Sequence, residues 1–183
     1  MARLNLVQNE NATPKAKELL EGVQKGLGMT PNLVRVMANS PAVLQSYLAT
    51  SGGLAGGVLP GPIRERISLR VAELNGCEYC LSAHTLLGKK VGLSEEEVLS
   101  SREGGSEEDK ARAVLELTTA IVKKQGRIST KELAAARDAE LTDAEIVEVV
   151  ANTALNILTN YLNNVAATDI DFPKVARLAA AAN

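Results

Sequence analysis

The 183-residue chain contains no tryptophan, one phenylalanine and three tyrosines, so aromatic residues make up only 2% of it. Its hydrophobic fraction of 45% is therefore mostly Ala, Leu and Val, interspersed with Glu, Lys and Arg, a composition that favours helix over sheet. Strong charge of either sign is also lacking. A net charge of −2 gives no electrostatic footprint for nucleic acid or an anionic membrane. The opening MARLNLVQNEN lacks the apolar core of a signal peptide, and no run approaches the length of a membrane span. The expectation is a cytoplasmic protein whose thiols stay reduced. Histidine and cysteine are scarcest of all: one histidine and two cysteines, all within NGCEYCLSAH, residues 75–84.

Helix start signals run through the whole chain. Thr13-Pro14, Thr30-Pro31 and Ser40-Pro41 each offer a capping hydroxyl followed by proline in the first turn. Ser94 with Glu97, Ser129 with Glu132 and Thr142 with Glu145 fit the capping box. These signals predict helices near 14–27, 31–38, 41–55, 62–75, 77–91, 95–101, 107–125, 130–139 and 143–166. No stretch shows strand alternation bounded by turns. The predicted fold class is all-α, in one domain.

Helix 143–166 has an apolar arc wide enough for a central helix or one covered by a partner chain. Asn152, Asn156, Asn160 and Asn163 form a stripe on another face, expected to be polar and partly solvated, with a subunit contact as the alternative. SGGLAGGVLPGP (51–62) reads as a flexible connection rather than a mobile lid. Arg64, Arg66 and Arg70 are expected on a solvated face or in subunit salt links rather than in a carboxylate clamp. The tail 174–183 is expected to form a short helix docking on a neighbour.

On a helix opened by Cys77, the side chains of Cys77, Cys80 and His84 project within an arc of about 60°. A nucleophilic thiol must be a thiolate, and a histidine one turn away can take its proton or stabilise its charge. A second thiol at i+3 can close a disulfide on a sulfenic acid before further oxidation. The helix dipole favours Cys77 as the lower-pKa thiol, whereas His84 lies one turn from Cys80 and two from Cys77. A structural zinc usually takes four Cys or His ligands; three are present, and Glu73 would have to be the fourth. Haem attachment needs a histidine directly after the second cysteine, where Leu81 stands. A thioredoxin fold needs strands. A thiol redox centre remains, with no metal or organic cofactor.

ELNGCEYCLSAH (73–84), and more widely RERISLRVAELNGCEYCLSAH (64–84), resembles the core of the AhpD-like, or alkylhydroperoxidase, branch of the carboxymuconolactone decarboxylase superfamily. LTDAEIVEVVA and NNVAATDIDFP are similar to a later helical region of its peroxidase-related members. The resemblance implies one AhpD-like domain over 1–183, with 1–40 as a helical N-terminal extension and 174–183 as a tail. It implies a compact helical subunit assembled as a homotrimer or homohexamer, reducing an organic hydroperoxide with electrons from a dithiol donor, either a dihydrolipoyl or a thioredoxin-like protein. By the same resemblance Cys80 is the peroxide-attacking thiol, Cys77 its resolving partner, His84 the histidine, and Glu65 the relay carboxylate. Spacing alone points instead to Glu73, one turn before Cys77, whose other reading is a salt pair with Arg70. Tyr79 stands where the family's type protein has a histidine; its hydroxyl could orient a peroxide or a water. Two other classes stay open. One is a non-redox decarboxylase-like enzyme using His84 as acid–base, and the other is a non-catalytic redox-responsive oligomer.

Overall fold

The computed structural model describes residues 2–178. Among these, a 3-10 turn at Asn9–Asn11 precedes nine α-helices: α1 (Pro14–Leu27), α2 (Asn32–Met37), α3 (Pro41–Ala55), α4 (Gly61–Leu74), α5 (Glu78–Lys90), α6 (Glu95–Glu103), α7 (Asp109–Lys124), α8 (Thr130–Asp138) and α9 (Asp143–Ala166). No strand occurs among the described residues. The hydroxyls of Thr13, Ser40, Ser94, Ser129 and Thr142 each accept the N–H three residues on, and all three capping boxes close. Each such cap satisfies a backbone donor that the first turn leaves without a partner. Thr30 departs from expectation. Its hydroxyl donates to Gln24 Oε1 at 3.0 Å, and α2 is entered through Pro31 with no side-chain cap.

Helix α4 lies at the centre, packed against α5, α6, α7 and α9. One side of the molecule is a core of Leu20, Met37, Leu44, Ala72 and Leu81, which also takes in Cys77, Tyr79 and Cys80. On the other, Leu59, Ile63, Ile67 and Val71 meet Val114, Leu117, Ile121 and Val149. The arginines of α4 are internal ties rather than a solvated row. Arg66 is buried and reaches Glu97 at 2.6 Å and Ser101 Oγ at 3.2 Å. Arg70 donates to Thr119 Oγ1 and to the Arg102 carbonyl.

The link from α4 to α5 is tight. Cys77 N–H donates to the Ala72 carbonyl at 2.9 Å, and Gly76 adopts φ +64°. A Cβ at Gly76 would be strained by that φ and would lie 2.8 Å from the Arg177 guanidinium, so the turn needs glycine.

Two further expectations change. The stretch after α3 is not a loose connection, because Glu148 on α9 accepts the N–H groups of Val58 (2.7 Å) and Leu59 (2.9 Å). The described part of the tail, 174–178, is not helical and binds its own chain. Val175 N–H donates to Ser82 Oγ at 3.0 Å, Arg102 to the Ala176 carbonyl at 2.7 Å, and Leu178 N–H to Glu73 at 3.0 Å. Residues 179–183 of that expected helix lie outside the described residues. No helix among the described residues is long and apolar enough to cross a membrane.

Candidate active site

A cavity of about 210 Å³ opens between α3, α4, α5 and α9. Its walls include Tyr47 and Ser51 from α3, Arg64, Glu65 and Ser68 from α4, Cys80 and His84 from α5, and Asn152 and Asn156 from α9. Leu33, Leu54 and Leu155 supply apolar wall.

Cys77 is the N-cap of α5, and its Sγ accepts the Cys80 N–H at 3.3 Å. It is buried and does not line the cavity, whereas Cys80 does. Both cysteines are free thiols. The Cys80 thiol donates a hydrogen bond to Cys77, and this, against the cost of burial, pulls the Cys77 pKa below the ordinary value. The amides of Cys80 and Tyr79 and the nearby His84 act in the same direction. Cys80 is pushed the other way by its hydrogen bond to Cys77, by burial and by the charge on Cys77. Cys77 is thus the more acidic thiol of the pair, at the start of α5 where the helix dipole favours a negative charge.

His84 Nδ1 lies 2.8 Å from Glu65 Oε2. Burial disfavours the imidazolium, but the charge and hydrogen bond of Glu65, with the charge on Cys77, outweigh it, and the His84 pKa is raised. Glu73 goes elsewhere: its Oε2 pairs with Arg102 at 2.8 Å, and not with Arg70. The fold thus brings Glu65, Cys80 and His84 to one cavity, with Cys77 directly beneath, and leaves Glu73 out. Tyr79 is also corrected. Its hydroxyl accepts the Leu33 N–H at 3.1 Å and bonds Asp171, so it holds α2 and the C-terminal segment rather than a cavity ligand. No group of three His, Cys, Asp or Glu among the described residues could hold a metal ion.

One feature escaped the sequence reading, and one expectation is overturned. Tyr47 presents a hydroxyl to the cavity with no protein partner among the described residues, and burial, then the charges of Cys80 and Glu65, raise its pKa. The asparagine stripe of α9 faces inward: Asn152, Asn156, Asn160 and Asn163 are 5, 6, 0 and 3% exposed. Asn156 donates to Ser68 Oγ at 3.1 Å, Asn160 accepts from Asn75 at 3.0 Å, and Asn163 Nδ2 donates to Cys80 Sγ at 3.3 Å. One sequence signal could have found this face. From Val149 to Ala166 the helix carries no charged residue, whereas solvated helix faces elsewhere in this chain carry Lys and Glu.

Residues 41–118 match the carboxymuconolactone decarboxylase family, and all four expected site residues fall within that segment. No curated protein sequence matches the chain. Among solved structures, an uncharacterized peroxidase-related protein from Ralstonia eutropha JMP134, described as an alkylhydroperoxidase AhpD core, is similar with a TM-score of 0.84 at 20% identity, over 93% of this chain and 92% of that one. An uncharacterized peroxidase-related protein from Silicibacter sp. TM1040 gives 0.80 at 21% identity, over 92% and 91%. A cysteine-to-alanine variant of the debrominase Bmp8, in complex with 2,3,4-tribromopyrrole, gives 0.78 at 17% identity, over 92% and 91%. At these identities the likeness is one of fold. Residues 41–118 thus match the carboxymuconolactone decarboxylase family, and the described chain shares its all-helical fold with the AhpD-like peroxidase-related structures.

Proposed function

We propose that the protein is a thiol-dependent reductase of organic hydroperoxides. The observation that carries this reading is the division of labour between the thiols: Cys80 faces the cavity beside His84, while Cys77 is held out of it and hydrogen-bonded to Cys80. Proton transfer across that bond leaves Cys80 as thiolate and Cys77 as thiol. The thiolate attacks the terminal oxygen of the hydroperoxide, the O–O bond breaks, and Cys80 becomes a sulfenic acid. The departing alkoxide takes a proton from the His84 imidazolium, which Glu65 holds in place, and the free Tyr47 hydroxyl orients the peroxide. Cys77 then condenses with the sulfenic acid, releasing water and forming the disulfide. An external dithiol reopens it. Attack at Cys80 is favoured, because Cys80 lies in the cavity and Cys77, the lower-pKa thiol, is the better leaving group. The dithiol donor and a reducing, cytoplasmic setting belong to the same proposal.

Intact-mass spectrometry of the reduced protein, over seconds after one equivalent of cumene hydroperoxide, tests the reading. Wild type is expected to lose two hydrogens, Cys77→Ser to yield a trappable sulfenic acid, and Cys80→Ser to remain unchanged. Wild type that stays reduced sinks the peroxidase reading. A parallel incubation with a brominated pyrrole asks whether the pair instead reduces a carbon–halogen bond, the substrate type bound by the Bmp8 relative.

The homo-oligomer is proposed on a separate observation. Val147, Val150, Leu158, Tyr161 and Val165 lie exposed along the outer face of α9. That apolar stripe fits a second copy of the chain better than water.

A further inference from the structure

Asn160 is fully buried at 0% exposure, yet its Nδ2 has no hydrogen-bond partner. Its Oδ1 is already engaged by Asn75 Nδ2 at 3.0 Å, which fixes the orientation of the amide. A buried donor without an acceptor is costly, and such groups are rare in folded proteins. One helical turn away, Asn163 Nδ2 points at Cys80 Sγ from 3.3 Å. The two amides flank one sulfur, and the Asn160 contribution there, like that of Asn163, favours the charged form.

We infer that Asn160 and Asn163 are positioning residues that form a neutral donor cradle for negative charge on Cys80 Sγ, as thiolate before attack and as sulfenate after it. The inference rests on the thiol reading of the site. Cys80 is the less acidic thiol of the pair, and while it keeps its proton the Asn160 donor faces a neutral sulfur. When the proton crosses to Cys77, the charge arrives at Cys80 and both donors engage it. The cradle thereby offsets the burial and the Cys77 charge that hold Cys80 protonated. The titratable groups facing Cys80 are Cys77, Tyr79 and His84 from α5, Arg64 and Glu65 from α4, and Tyr47 from α3. Helix α9 contributes only uncharged side chains there. Its amides stabilise an anion at every pH without adding a group that titrates.

The test is the pH profile of Cys80 alkylation by iodoacetamide in a Cys77→Ser background, which removes the coupled thiol. Asn160→Ala, Asn163→Ala and Asn160→Ser, the last keeping a smaller donor, are compared with that background. Loss of one hydrogen bond to a thiolate is expected to raise the Cys80 midpoint by about one pH unit and slow alkylation about ten-fold at neutral pH. The plateau rate at high pH should stay unchanged, and Asn160→Ser should recover part of the shift. A purely structural role would lower the melting temperature and leave the midpoint in place, which overturns the inference. A downward shift, the sign expected if an amide carbonyl faced the thiol, overturns it equally. Should Asn160→Ala fail to fold, Asn163→Ala, which removes the direct contact, decides alone. The readout uses no peroxide. A shifted midpoint in a protein that ignores hydroperoxides keeps the cradle and rejects the peroxidase reading, and the converse result does the reverse.

Discussion

Glu65 on α4 and His84 on α5 are 19 positions apart in the chain and 2.8 Å apart in the fold. The pair is two-thirds or more shielded from solvent, so its charges are only weakly screened. It gives the histidine of a chain that has only one a fixed Nδ1 partner and leaves the other ring nitrogen for the cavity.

That contact has a pH signature. The His84 pKa is raised in the fold, so the contact's stabilisation is fully present below the ordinary histidine value of about 6.5 and is lost as pH rises through the folded value. The melting temperature of wild type should exceed that of Glu65→Gln most at about pH 5.5, one unit below the ordinary value, with the gap narrowing as pH rises through the raised folded value. Melts at a series of pH values check this. A gap that is constant across the series would mean that His84 does not titrate against Glu65.

Glu73 should matter to stability and not to the thiol chemistry. It is buried with Arg102 and also receives the Leu178 N–H, so it ties α4 to α6 and to the C-terminal segment. Removing one partner strands a buried guanidinium, and Glu73→Ala should cost about 3 kcal/mol in denaturant unfolding. Its rate of peroxide-driven oxidation, measured well below the unfolding transition, should stay within about two-fold of wild type. If oxidation collapses while stability holds, Glu73 and not Glu65 serves the thiols.

Gly57 and Glu148 are expected to be coupled. A Cβ at Gly57 would collide with the Glu148 carboxylate, the group that receives Val58 and Leu59 N–H. Gly57→Ala and Glu148→Ala should each destabilise by about 1–3 kcal/mol. In the double variant the glycine change should add less than about 0.5 kcal/mol, since the carboxylate it displaces is already gone. Full additivity would show that the two act separately.

The outer face of α9 makes a prediction about assembly. Leu158→Glu combined with Val165→Glu places charge on two side chains that are exposed in the single subunit, so helicity should be unchanged. Light scattering should show a smaller particle than wild type at micromolar concentration. A wild type that is already monomeric there removes the case for this face as a subunit contact.

The helices were legible in the sequence because their signals are local. A serine or threonine cap and its glutamate three residues on act within one turn, and at positions 94, 129 and 142 they fix the start whatever the rest of the chain does. Cys80 and His84 were legible for the same reason, since their spacing along α5 puts both on the cavity face, whereas Cys77 is the N-cap and its thiol stays out of the cavity. Resemblance named Glu65, and spacing alone would have chosen Glu73. The fold separates the two, because α4 turns Glu65 toward the cavity and Glu73 toward Arg102.

The α9 asparagines were misread because amides satisfy either water or buried partners, and only the facing residues decide which. Here Ser68, Asn75 and Cys80 stand opposite, and the polar face turned inward. The arginines of α4 follow the same rule. A guanidinium is charged in any setting, so its sequence position says nothing of whether Glu97, Thr119 or solvent will receive it. By itself the sequence determined the helical elements and the placement of two thiols and an imidazole on one of them, because those depend on contacts within a turn. Which carboxylate meets the imidazole, which thiol faces the cavity and which face of α9 is buried were decided by tertiary packing, because each depends on a partner supplied by a different helix.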